Sequence, residues 1–178
     1  PAWVGVSVLA ARWRKWRARD YLALVPPRRG EIAFGALSIA VLLIASDLLT
    51  LLIGREVVPG FMREAYLSAR NSGSLALFFL AVVIVAPISE EIAFRGFLFR
   101  GLSASWLGVC GAIIATSAAW AAMHVQYDSF TLAQIFCIGL LLGWIRWASG
   151  STLLTIMLHM LANLTACIQA AIKVEWLG

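Results

Sequence analysis

The chain predicts an all-α, polytopic transmembrane bundle, and three observations carry that prediction. Hydrophobic residues make up 62% of the 178 positions against 13% charged, with a mean hydropathy of +0.89, far from the composition of a water-soluble domain. The apolar residues fall in about five long runs, each near the ~20 residues needed to cross a bilayer as a helix. Short polar connections separate most of the runs, and the strict alternation of a membrane β-barrel is missing, which leaves antiparallel helices. The length supports one transmembrane domain over residues 31–178, preceded by a basic amphipathic, interfacial segment over residues 1–30.

Residues Trp3 to Ala11 form an apolar piece too short to span, which reads as an interfacial turn, a signal remnant or the tail of a preceding span, the basic flank that follows it favouring the last. Pro26-Pro27 ends the basic segment, and the first full span runs from about Ile32 to Ile53. Gly54 to Gly73 holds Pro59, Gly60 and charges of both signs, and reads as an extramembrane loop with one helical turn. The second span starts near Ser74, stays apolar to Ile88, meets Ser89-Glu90-Glu91 and continues through Phe99. Pro87 supplies no backbone donor and predicts a distortion just before the acidic pair. The third span covers Trp106 to Val125, the fourth Thr131 to Ala148, and Ser149-Gly150-Ser151 turns the chain into the fifth, Thr152 to Ile172. In the fourth, Gly139 and Gly143 form a small-xxx-small face for close helix contact.

Basic residues orient the bundle. Arg12, Arg14, Lys15, Arg17, Arg19, Arg28 and Arg29 are half of the fourteen Lys and Arg, and they flank the first span. The positive-inside rule makes that flank cytoplasmic, as expected of a multi-pass protein of a cell membrane, and the Arg- and Ala-rich composition points to a bacterial inner membrane. With Trp13 and Trp16 interleaved, the segment suits an anionic lipid surface, so the bilayer, not nucleic acid, is the expected partner. Cys110, Cys137 and Cys167 lie in apolar runs without CxxC or zinc-type spacing, and read as buried, inert thiols.

Ionisable groups at bilayer depth are costly unless paired or hydrated, so each is a functional candidate. Glu91 and Arg95 are four apart on one helix face and can pair. Glu90, about 100° around the axis, is left freer and suits a general base. His124 ends the third span four residues after Trp120. His159 and Asn163 are four apart on the fifth, where two stacked polar side chains suggest a cavity. Asp47 is a further buried acid with nothing spaced to partner it. A carboxylate and an imidazole can together activate a water, and a second His with an Asn can donate to a developing oxyanion. That combination supports peptide-bond hydrolysis without a covalent nucleophile.

At these residues the sequence resembles the CAAX protease and bacteriocin-processing (CPBP, or Abi) family of membrane proteases. The family's EExxxR motif matches Glu90-Glu91-Ile-Ala-Phe-Arg95, its FxxxH motif matches Trp120-Ala-Ala-Met-His124, and its HxxxN motif matches His159-Met-Leu-Ala-Asn163. The resemblance implies a glutamate-type intramembrane endopeptidase. Glu90 with His124 would activate water, His159 and Asn163 would stabilise the oxyanion, and Glu91 with Arg95 would support the site. It implies a membrane-associated peptide or protein substrate and no cofactor or metal. Trp120 in place of Phe is expected to reshape a pocket wall without touching the chemistry. Relatives cut prenylated tails, bacteriocins or membrane-protein tails, and some serve as immunity or scaffold proteins.

Three other readings use the same residues. Glu90, His124 and His159 could hold zinc with an open water position, although no HExxH spacing is present. A non-catalytic immunity or scaffold role is the reading from another class. A proton-coupled transporter would be expected to show an internal repeat, which the sequence lacks. One question of depth accompanies the third span: His124 lies about 27 Å along a helix from Trp106, deeper than Glu90. Either the helix begins well below the membrane with Trp106 in the headgroup or aqueous layer, or it tilts strongly, or the cavity opens toward the other side.

Overall fold

The structure, a computed structural model, describes residues 17–177. The apolar piece Trp3–Ala11 and the basic residues Arg12, Arg14 and Lys15 lie outside the described residues. What is described is helical: α1 (Ala18–Tyr21), α2 (Arg29–Leu52), α3 (Gly60–Asn71), α4 (Leu75–Ser103), α5 (Gly108–Ala122), α6 (Ser129–Ser149) and α7 (Thr152–Trp176). Four of these, α2, α4, α6 and α7, are long and apolar enough to cross a membrane. The expected third span is the shorter α5, which at 15 residues reaches about 22 Å. Trp106 precedes it in a turn and is 92% exposed, so the helix begins beyond that residue.

Helix α7 is the hub because it is apolar on several faces. Leu154, Leu158 and Ala162 pack with Ile39 of α2 and Leu142 and Ile145 of α6. Its far half sets Cys167 and Ala170 against Met62 and Tyr66 of α3, and Ile156 meets Ile92 of α4 and Leu22. Gly139 and Gly143 of α6 face α5 closely. A Cβ at Gly139 would stand 2.9 Å from the Ser117 Cβ, and one at Gly143 3.1 Å from Ile113 Cγ2, so the small residues set that helix separation. Leu37, Val41, Ile44 and Leu48 of α2 are exposed, as a lipid-facing helix requires.

Two expectations are corrected. The 54–73 stretch contains a full three-turn helix, α3, where the sequence suggested one turn. Met62, Tyr66 and Ala69 recur at helical spacing and are buried, so packing on α7 stabilises a helix that its charges disguise. Among the cysteines only Cys167 is buried, whereas Cys110 and Cys137 are exposed on the helical surface.

The two ends of the bundle differ. At one end the segment after α1 docks on the α6–α7 turn. The Thr152 amide donates to the Ala23 carbonyl at 2.9 Å, the Thr152 hydroxyl to Leu22 O at 2.6 Å and the Ser151 hydroxyl to Val25 O at 2.6 Å. Gly150 makes this turn possible, with a φ of +69° that ends α6 in the left-handed conformation. Ser151 then caps α7 by accepting from the Leu154 amide. Arg100 donates to Asp20 O at 2.8 Å and joins α4 to the same end. At the opposite end Arg55 pairs with Asp128, Phe61 meets the Tyr127 ring edge-on at 5.5 Å and Arg70 pairs with Glu175 at 3.0 Å.

Candidate active site

The site begins with two irregular turns in α4, one on each side of the acidic pair. Residues Leu80–Val85 and Ile92–Leu98 are wound as π-helix, an arrangement frequent at functional sites. In the first, the Ala86 amide donates to the Ala81 carbonyl, one residue further back than in an α-helix. Pro87 has no amide hydrogen to continue that register, so the Val82 carbonyl is left free. Asn163 of α7 satisfies it, donating from Nδ2 at 2.8 Å. In the second, the Phe99 amide donates to Phe94 O and releases the Arg95 carbonyl, which accepts from Arg146 Nε at 3.0 Å. The distortion expected at Pro87 is thus a π turn, and a second one, with no proline, follows it.

Between these turns the two glutamates part company. Glu91 is fully buried; its Oε1 accepts from Arg95 Nη1 at 3.0 Å and lies 3.0 Å from His159 Nδ1. Arg95, also fully buried, donates to Gly139 O at 3.2 Å and stacks over the Trp120 ring at 4.7 Å. Glu90 is instead 24% exposed along its side chain. Its Oε2 accepts from the Trp120 indole Nε1 at 2.6 Å and stands 3.9 Å from His159 Nε2.

Glu90 opens into a cavity of about 450 Å³ that also carries Trp120, His124, His159 and Asn163 on its wall. All three sequence motifs therefore meet at one space. His124 Nδ1 faces the Trp120 carbonyl at 2.9 Å, and because a carbonyl only accepts, that nitrogen carries the hydrogen and Nε2 is left as an acceptor. No ion pair among the described residues joins Glu90 to His124; the imidazole near Glu90 is His159. His159 Nδ1 likewise donates to the Glu91 carboxylate, so Nε2 becomes a donor only when the ring holds both protons. Among the described residues no three His, Cys, Asp or Glu side chains gather as a metal site.

Several features were not expected. Trp120 does more than shape the wall, because its indole N–H, which Phe lacks, donates to Glu90. The signal was available: a Trp buried in an apolar span must find an acceptor for that N–H. Asp47 has a partner after all, Gln169 Nε2 of α7 at 2.6 Å. Toward the mouth, Gln134 of α6 donates to Ser46 Oγ at 2.7 Å and Thr50 Oγ1 at 2.9 Å on α2. At the mouth itself, burial pushes the Tyr127 phenol above its usual value, keeping it neutral. The Thr131 amide holds the Asp128 carboxylate below the usual range, with Arg55 adding to the effect.

Four apolar helices of span length, packed as one bundle, define a multi-pass membrane protein. Residues 72–165 match the family described as Type II CAAX prenyl endopeptidase Rce1-like, and the chain belongs to that family. An "Uncharacterized 24.3 kDa protein" of Escherichia coli is 35% identical over 106 residues, which is 58% of this chain and 48% of that protein. The chain thus spans about half the length of this curated relative. No solved structure matches it.

Proposed function

We propose that this protein is an intramembrane endopeptidase of the glutamate type, hydrolysing a peptide bond in a membrane-associated peptide or protein. One observation carries the reading: of two adjacent glutamates at mid-helix, one is sealed in a neutralised cluster and the other is held by an indole N–H at the wall of a cavity. Glu90 takes a proton from water, and the resulting hydroxide adds to the substrate carbonyl carbon. The carbonyl electrons move to oxygen, forming a tetrahedral oxyanion. Glu90 then returns its proton to the leaving nitrogen as the C–N bond breaks, giving an acid and an amine.

The other residues have separable parts in this scheme. His124 presents Nε2 as an acceptor that orients the attacking water. Asn163 spends one amide hydrogen on Val82 O and keeps the second for the oxyanion. His159, when doubly protonated, offers Nε2 as a further donor, with Glu91 fixing the ring through Nδ1. Glu91 and Arg95 act as positioning residues. The reading extends to a cell-membrane location, with the basic segment cytoplasmic and the substrate reached without a cofactor or metal.

The test is cleavage of membrane peptides by the purified protein in detergent or liposomes, comparing wild type with Glu90→Gln. Cleavage by wild type, lost in the variant and retained after exhaustive chelation, supports the scheme. Loss on chelation with recovery on added zinc moves the assignment to a metalloprotease. No cleavage of any peptide, with a Glu90→Gln protein that keeps its cellular effect, favours the scaffold role.

A further inference from the structure

We propose that the end of the bundle where residues 20–25 dock carries a binding site for the phosphate of an anionic phospholipid, built on Arg146 and Arg100 and independent of the protease reading. Two arginines are buried among the described residues, Arg95 at 0% exposure and Arg146 at 7%. A charge taken out of water is costly unless something compensates it. Arg95 has its carboxylate within the chain, Glu91 at 3.0 Å. Arg146 has none, because no Asp or Glu among the described residues pairs with it. Its Nε is spent on Arg95 O and Thr152 Oγ1, each at 3.0 Å, and its guanidinium lies over the Phe99 ring at 5.4 Å. Nη1 and Nη2 find no acceptor among the described residues. They are not sealed either, since the side-chain nitrogens and oxygens buried without a partner are Glu91 Oε2 and Arg95 Nε. The donors of Arg146 therefore reach the surface with nothing in the chain to receive them.

Arg100 follows Phe99 directly, and it is the charged group that acts on Arg146. It donates from Nη1 to Asp20 O at 2.8 Å, lies over the Tyr21 ring at 5.1 Å and likewise has no carboxylate. Two like charges without a counterion repel, and one phosphate answers both, since the guanidinium fork matches phosphate oxygens. The Thr152 hydroxyl that accepts from Arg146 donates to Leu22 O at 2.6 Å, so the docked segment and both arginines share one network. Around it the end stays cationic: Arg17, Arg19, Arg28 and Arg29 stand against Asp20 and Glu31, and no ion pair joins any of these among the described residues. At the other end Arg55, Arg70 and Lys173 are paired with Asp128, Glu175 and Glu56. The occupant follows from position. Trp106, Trp144 and Trp147 are exposed at the arginine end, and indole rings gather at the headgroup level. The arginines therefore stand where bilayer phosphates are, and basic pockets between spans bind anionic head groups. With no carboxylate beside Arg146 to receive an ammonium group, a net-negative head group is preferred to a zwitterionic one. One such phosphate ties α4, α6 and the docked segment together.

Native mass spectrometry of the full chain in a neutral detergent tests this, with phosphatidylglycerol and phosphatidylcholine of the same acyl chains as probes. The expected result is retention of one phosphatidylglycerol in preference to phosphatidylcholine. Its apparent affinity should fall about tenfold or more in Arg146→Gln and in Arg100→Gln, as loss of a charge-assisted hydrogen bond predicts. Arg63→Gln removes the same charge from an exposed position at the other end and should leave binding unchanged. Arg146→Gln also loses the contact to Arg95 O, so if that variant does not fold, Arg100→Gln carries the test, its side chain being exposed. The unfolding midpoint of the wild type should rise with phosphatidylglycerol and not with inorganic phosphate at the same concentration. Equal retention of the two lipids, Arg100→Gln binding like wild type, or an equal loss in Arg63→Gln each overturns the proposal. Stabilisation by inorganic phosphate as strong as that by the lipid makes this a free-anion site and overturns the lipid assignment.

Discussion

The two π turns of α4 use the same backbone device for opposite ends. Each shifts an amide one residue back along the helix and frees a carbonyl, and each carbonyl is taken by a side chain from another helix. Upstream, in Leu80–Val85, no residue of the turn is buried, and the freed Val82 carbonyl holds an amide that also faces the cavity. Downstream, in Ile92–Leu98, five consecutive residues from Ile92 to Gly96 are buried, and the freed Arg95 carbonyl holds the Arg146 guanidinium. Glu90 and Glu91 sit between them, one turned to each regime. Adjacent residues of one type thus acquire different environments, because a helix places neighbours about 100° apart and the rest of the bundle decides which side stays wet.

The largest expected effect falls on the wet side. Glu90→Gln keeps the shape and the acceptor oxygen for Trp120 but cannot take a proton, so turnover is lost while the thermal unfolding midpoint in detergent stays near wild type. Near-normal cleavage by this variant would remove Glu90 as the base. On the sealed side Glu91→Gln leaves Arg95 buried without its countercharge, and breaking such a pair costs about 3–5 kcal/mol. Unfolding in detergent should show that loss together with reduced activity; an unchanged midpoint would show that the cluster is hydrated. Asn163→Ala is next. If Asn163 donates to the oxyanion, kcat falls about 10²–10³-fold with little change in KM. A raised KM at constant kcat would make it a binding contact instead.

Much of this was legible in the sequence, and the exceptions have physical reasons. Span order, the short turns and the Gly139–Gly143 face follow from hydropathy and residue size, which local sequence records directly. The closeness of Glu91 and Arg95 follows from their four-residue spacing. The missing contacts are those made between helices. Four-residue spacing grouped His159 with Asn163 but said nothing of Glu91, which His159 reaches only because α7 packs on α4. Asp47 and Gln169, from α2 and α7, are 122 positions apart, so no periodicity links them. Pro87 signalled the first π turn, whereas the second contains no residue that forbids an α-helix. Helix α3 looks like a loop with one turn in the sequence because Arg63, Glu64 and Arg70 obscure the spacing of Met62, Tyr66 and Ala69.

The smallest effect sharpens the comparison most, because Trp120 belongs to both sides. Its indole N–H holds Glu90 in the cavity, while its ring lies under the sealed Arg95 guanidinium and meets His159 edge-on at 5.1 Å. Trp120→Phe keeps an aromatic face for Arg95 and His159 but removes the donor to Glu90. Trp120→Leu removes both. A hydrogen bond to a charged group contributes about 1.5–3 kcal/mol, so a Glu90 released from it should cost roughly tenfold or more in kcat, if the bond fixes the base where water is bound. A merely structural tryptophan predicts something else: both variants would lose stability in proportion to lost packing, and kcat would follow folded protein. The distinguishing result is therefore a Phe variant with a near wild-type unfolding midpoint, a lowered kcat and a displaced pH–rate profile, beside a Leu variant that loses stability as well. If Trp120→Phe leaves kcat and the pH profile unchanged, the indole contact is incidental, and Glu90 is held for catalysis by the packing of α4 alone.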